Sequence, residues 1–211
     1  MTVSLTALAD ANARRWEAMH LRASLLPSFD ATAARLCAAD AKPRYQLIAQ
    51  ATGVPWWIIA VIHEREAGGP PHFDRSIAQG DPLGEVSRHD PAGRGPFFDH
   101  PGDPPGQDAF YRGALDALID CAPHAAKWTD WSIGGTLCLL EQYNGLGYAA
   151  MGRASPYIWS GSDQYVSGKY VRDHVYDPGA VDQQEGCAPL LSRMMALDPS
   201  IQFEAVPVPA A

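Results

Sequence analysis

The densest apolar run in the chain, Val54 to Ile62, leads directly into His63-Glu64-Arg65-Glu66-Ala67 and then into Gly68-Gly69-Pro70-Pro71. Residues 55–67 are apolar nearly all round until the last turn, which predicts a buried central helix. Pro55 suits the first turn of that helix, and the Gly-Gly-Pro-Pro run ends it sharply, since glycine caps a helix and proline cannot continue one. Ahead of it, residues 3–52 read as two or three helices. Leu5, Leu8, Ala9, Trp16 and Met19 form one helical stripe, which Asn12 interrupts, and Ser28 with Asp30 predicts a second helix through Leu36.

Residues 70–107 are rich in proline and glycine and predict a long loop with short extended pieces at best; loops that long in compact domains usually carry function. Helical patterns return at 108–121 and 130–142, the second stopped by Asn144-Gly145. An aromatic, glycine-rich stretch runs from Tyr143 to Tyr176. Asp177-Pro178 predicts the start of a last helical stretch to about Leu197, broken near Pro189, and Pro207-Val208-Pro209 predicts a loose tail. The expected class is mainly α, as one domain with a helical N-terminal part (1–52), a main part (53–198) and a tail (199–211).

Composition narrows the functions. The 211 residues carry 16 basic and 24 acidic side chains, a formal net charge of -8. No Lys/Arg cluster stands out, which argues against nucleic acid as a partner and against adhesion by charge to an anionic surface. The apolar run at Val54–Ile62 is far short of a bilayer span, so no membrane insertion is expected. None of Cys37, Cys121, Cys138 and Cys187 sits in a C-x-x-C pair, so the four read as buried small hydrophobes. His63, His72, His89 and His100 show no ligand spacing, and no phosphate-cradling glycine loop appears. The expectation is neither a metal nor any other cofactor.

Two carboxylates remain as candidates for acid chemistry. Glu66 shares a stripe with Ile59, Ile62 and His63 and sits at the negative end of its helix dipole; both surroundings favour a protonated carboxyl. Glu64 shares a face with Trp57, Ala60 and Val61, and Arg65 stands ready to pair with an exposed acid. Periodicity leaves the two open. His63, one turn before Glu66, is either a core, hydrogen-bonded residue or a proton relay. In 143–176 the rings of Tyr143, Tyr148, Tyr157, Trp159, Tyr165, Tyr170 and Tyr176 alternate with Gly, Ser and Asn. Such rings suit sugar faces, although most of them are expected to close the core beneath loops.

His63-Glu64-Arg65-Glu66 closing a Trp-rich apolar helix resembles the first motif of lysozyme-like lytic transglycosylases and phage endolysins, with Ala67 where the family usually has Ser. Tyr143-Asn144-Gly145 resembles the family's Tyr-Asn-Gly motif. Gly80-Asp81-Pro82-Leu83, Tyr143 to Tyr148, Ser155 to Gly161, Gly168-Lys169-Tyr170-Val171 and Asp177-Pro178 are similar to segments of lysozyme-like proteins of phages and bacteria, in the same order. The resemblance covers about residues 55–196. The Gly-Leu-Met-Gln motif of many transglycosylases is absent, and Gly80-Asp81-Pro82-Leu83 occupies its general region.

The resemblance implies a lysozyme-like α+β fold with a central buried helix and a loop-rich cleft wall. It also implies cleavage of peptidoglycan glycan strands, with Glu66 as the general acid and Tyr143, Asn144, Tyr148 and Trp159 on the substrate. Asp81 is the candidate second carboxylate of a hydrolase; its other reading is a turn residue that holds the loop. A transglycosylase needs no second carboxylate. Two alternatives stand beside this. His63-Glu64 followed by Gly68-Gly69 resembles the His-Glu motif of plant-type chitinases, which would make Glu64 the acid; and a non-catalytic glycan-binding or tail module would keep the fold without the activity. Residues 1–20 bring in charges before any apolar run of signal-peptide length. The expectation is therefore a monomer made in the cytoplasm that reaches the wall after lysis, through a pore or by delivery.

Overall fold

The structure is a computed structural model that describes residues 3–172 and 175–205, so Pro207-Val208-Pro209 lies outside the described residues. It is mainly helical, with one small antiparallel hairpin. The chain divides into two compact units, one made of 1–31 with 129–211 and the other of 32–128. In the first of these, the first helix packs on a helix far down the chain.

The unit of 32–128 is built on α3 (Lys42–Thr52) and α4 (Trp56–Ala67), which meet at a bend of 113°. The bend falls where the sequence allows it. Gly53 takes a left-handed φ of 75° that closes α3, and Pro55 precedes the first turn of α4. Trp56, Ile58, Ile59, Ala60, Val61, Ile62 and His63 of α4 are all buried, which matches the apolar circumference of the segment. Gly68, left-handed at φ 79°, ends α4 with its N–H on the Glu64 carbonyl. Residues 70–107 follow without a helix; an isolated bridge joins Arg75 and Pro82, and backbone hydrogen bonds such as Phe97 N–H to the Leu83 carbonyl fasten the loop to itself. Asp108 then caps α5 (Ala109–Leu115), its carboxylate accepting from the Tyr111 N–H, and a π-helical turn follows to Asp120.

In the unit of 1–31 and 129–211, α1 (Leu5–Ala18) lies against α6 (Ile133–Tyr143). Gly134 makes the close approach necessary: a Cβ there would stand 2.5 Å from the Ala9 carbonyl oxygen. Leu137, Cys138, Leu139 and Leu140 fill the core from α6. Short helices α7 (Gly147–Ala150) and α8 (Pro156–Trp159) lead to the hairpin β1 (Lys169–Arg172) and β2 (Val175–Asp177), and α9 (Cys187–Leu197) packs on α8 and α6. Helix α2 (Leu26–Leu36) starts two residues before the expected Ser28.

Two expectations need correction here. The last helix starts at Cys187, not at Asp177. The Asp177 carboxylate instead accepts from the N–H groups of Gly179 and Ala180, a turn that follows β2. Pro189 causes no break, because it sits in the first turn of α9, where N–H groups have no helical partner. Beyond α9, Ile201 is buried, Phe203 stacks edge-on with Trp16 at 5.8 Å, and the Glu204 N–H donates to the Trp131 carbonyl.

Candidate active site

The last turn of α4 distributes four side chains to four environments. His63 points into the core and is fully buried. The Tyr45 hydroxyl donates to its Nδ1 at 2.7 Å, and its Nε2–H donates to the His72 carbonyl at 3.1 Å. A carbonyl only accepts, so Nε2 carries a proton, and burial favours the neutral form of the ring. Phe73 and Phe110 pack on the imidazole with centroids 5.1 and 4.8 Å away. Burial lowers the His63 pKa to about 4 and pushes the Tyr45 phenol well above its ordinary value. His63 is therefore the core, hydrogen-bonded residue of the two readings.

Glu64 is engaged elsewhere. Nη2 of Arg35 lies 3.2 and 3.3 Å from its two oxygens, and Nη1 of the same guanidinium donates to the Pro70 carbonyl. Gly69 is required beneath it, since a Cβ there would stand 2.0 Å from Glu64 Oε2. The arginine that engages Glu64 is thus Arg35, from α2, a partner that helical spacing around Arg65 could not suggest. Glu66 is half-buried, and Ala67 behind it is buried.

The loop after α4 returns to Glu66. Gly80 packs so closely on the helix end that a Cβ would meet the Glu66 carbonyl oxygen at 2.4 Å, and its φ of 74° also demands glycine. Around it Ser76 N–H donates to the Asp81 carbonyl, Gly80 N–H to the Ser76 carbonyl and Leu83 N–H to the Asp74 carbonyl. The Asp81 side chain is buried and holds the next loop. Its Oδ2 accepts from the backbone N–H groups of Arg88 (2.8 Å) and His89 (3.0 Å), and its Oδ1 faces His89 Nδ1 at 2.7 Å. The His89 N–H is the largest influence, and together these donors keep the carboxyl below the usual carboxylate range. This is the geometry of the loop-holding reading of Asp81.

The remaining candidates lie in the other unit. Asn144 ends α6 and is exposed, with Nδ2 donating to Ser155 Oγ at 3.2 Å; Tyr143 beside it is half-buried. Tyr148 is buried: its hydroxyl accepts from the Tyr170 N–H, and its ring meets those of Tyr170 and Tyr176 edge-on at 5.3 and 6.3 Å. Trp159 is fully buried, so its ring offers no face to a sugar and belongs to the core, contrary to its expected place on the substrate. Tyr157 and Tyr165 are buried as well, as expected of most rings in this stretch.

Sequence reasoning passed over a third carboxyl. Glu141 of α6 is 1 % exposed and accepts from Asn12 Nδ2 at 3.2 Å. Burial raises its pKa, partly offset by the Asn12 hydrogen bond and by the charge of Arg15. The interruption of the α1 stripe by Asn12 was the visible signal: a polar residue facing the core requires a partner there.

Among the described residues no three His, Cys, Asp or Glu side chains gather closely enough to hold a metal ion, and the four cysteines are thiols. No helix among them is long and apolar enough to cross a membrane on its own. Comparison of the chain with protein-family models, curated proteins and solved structures finds no match.

Proposed function

We propose that the chain is a lysozyme-like glycosidase that cleaves the glycan strands of bacterial peptidoglycan, with Glu66 as the general acid. The observation that carries this reading is the place of Glu66, half-buried in the closing turn of α4, where the Gly80 turn closes on its backbone carbonyl. Glu64, two residues earlier, meets the Arg35 guanidinium through both its oxygens. Glycosidic cleavage needs one carboxylic acid held rigidly beside a loop wall. A rigid helix supplies that placement better than a loop does.

Asp81 has three donors on its carboxylate, which favours an outcome that needs only one catalytic carboxyl. Glu66 protonates the glycosidic oxygen as the C1–O bond breaks. The carboxylate so formed takes the proton of the muramyl 6-hydroxyl, whose oxygen bonds to C1 and closes an anhydro ring.

Purified murein incubated with the protein tests the reading. Loss of turbidity with products that end in anhydro-muramic acid is the expected result. Products heavier by one water would mean hydrolysis. An unchanged suspension would mean a glycan-binding module without activity.

A further inference from the structure

In the unit of 1–31 and 129–211, a groove of about 360 Å³ runs beside α1, walled by Ala7, Leu8, Ala11 and Arg15 on one side and by Ala149, Ala150 and Arg153 on the other. Small side chains make the room, and the volume is in the range of small-molecule sites. Ser4 also lines it, so the groove follows α1 from Ser4 to Arg15, about 16 Å at about 1.5 Å per residue.

The charges of the groove are one-sided. Several cations elsewhere have acid partners: Arg35 has Glu64, Arg44 has Asp108, Arg94 has Asp116, Arg112 has Asp103 and Lys169 has Asp182. Arg15 and Arg153 line the groove without an ion pair to any described residue, in a chain with eight more acids than bases. Arg153 lies over the Tyr176 ring at 5.2 Å, a contact that supplies no counter-charge. Glu141, which feels the charge of Arg15, is buried, and burial favours its protonated, neutral form. Two guanidinium groups beside an apolar trough are complementary to an anionic head on an apolar chain.

We propose that this groove binds a single-chain organic anion, a carboxylate carried on an unbranched aliphatic chain, with the head between Arg15 and Arg153 and the chain along Ala11, Ala7 and Ser4. The occupant is a soluble amphiphile and not a bilayer, since a net charge of -8 opposes approach to an anionic lipid surface.

Calorimetric titration of the full chain with dodecanoate, below the concentration at which it forms micelles, tests this. Saturable binding at one site is expected, with dodecyltrimethylammonium and inorganic phosphate both far weaker. Arg15→Gln and Arg153→Gln should each lower the affinity about tenfold, the scale of one charge-assisted contact. Ala11→Leu should fill the groove and remove binding, while circular dichroism shows the helices intact. The proposal is overturned by an absence of saturable heat, by equal affinity for the cationic amphiphile or for phosphate alone, by arginine variants that bind as the parent does, or by uptake onto phosphatidylglycerol vesicles without binding of dodecanoate. None of these readouts depends on murein cleavage.

Discussion

Helices α4 and α6 are the apolar centres of their respective units, and each carries glutamate in its closing turns. Glu141 of α6 is sealed in the core against Asn12, at 1 % exposure. Glu64 and Glu66 of α4 stand at the edge of the core, one joined to Arg35 and one beside the Gly80 turn. Depth separates their roles. A carboxyl with no route to solvent stabilises or destabilises the fold according to its protonation, whereas one at the edge of a rigid helix can exchange a proton with a bound molecule. The same residue type at the end of the same kind of helix thus has two meanings, and only the partners tell them apart.

The largest expected effect on stability tests the claim that the end of α4 is organised around a neutral imidazole. The folded-state pKa of His63 lies near 4, below its ordinary 6.5, so its contribution to stability is complete above pH 6.5. It is lost as pH falls towards 4, because the unfolded chain takes up the proton first, and the total is about 3 kcal/mol. An NMR titration should find this imidazole neutral down to about pH 4. Ordinary titration near 6.5 would break the contrast between the buried ring and the accessible acid.

Gly80→Ala follows in size. The left-handed φ and the 2.4 Å approach to the Glu66 carbonyl together predict a loss of about 2 kcal/mol in denaturant melts, and slower murein cleavage as the turn moves away from α4. A variant as stable and as active as the parent would mean that the turn does not position Glu66.

Glu141→Gln should move stability the other way. The raised pKa of a buried carboxyl means that its contribution is fully present below its unfolded-state value and is lost as pH rises through the folded one. Glutamine keeps the shape and an acceptor for Asn12 without the charge, so a gain of about 1–2 kcal/mol is expected at pH 7, and little change at pH 4. A loss at pH 7 would show that the ionised carboxylate is the form the fold requires. The smallest effect is that of Asn144→Ala, under about 1 kcal/mol in stability for an exposed residue whose side chain donates to Ser155. A larger loss in a urea melt would show that the Ser155 contact organises the end of α6.

What could be read from the sequence was local. Pro55 before α4 and Gly68-Gly69 after it mark its ends because their backbone preferences act without distant partners. Asn144-Gly145 stops α6 for the same reason. Asp177-Pro178 misled because an aspartate before a proline suits a helix start as well as a turn, and here its oxygen serves Gly179 and Ala180. Pairings across the chain left no periodic trace. Arg35 reaches Glu64, Tyr45 reaches His63, and Asn12 reaches Glu141 over 129 residues of sequence. Trp159 shows the limit of reading aromatic density, since neighbouring rings of one stretch divide between core and surface by packing alone.

The central claim is that Glu66 transfers the proton while Glu64 serves the structure through Arg35. Initial rates on purified murein for Glu66→Gln and Glu64→Gln, each paired with a urea melt, test it most directly. The account predicts that Glu66→Gln melts as the parent does and cleaves at least about a hundredfold more slowly, the scale of general acid catalysis. It predicts that Glu64→Gln melts earlier, as the Arg35 contact is weakened, and retains most of its activity. A Glu64→Gln protein that is folded and inactive beside an active Glu66→Gln protein would contradict it.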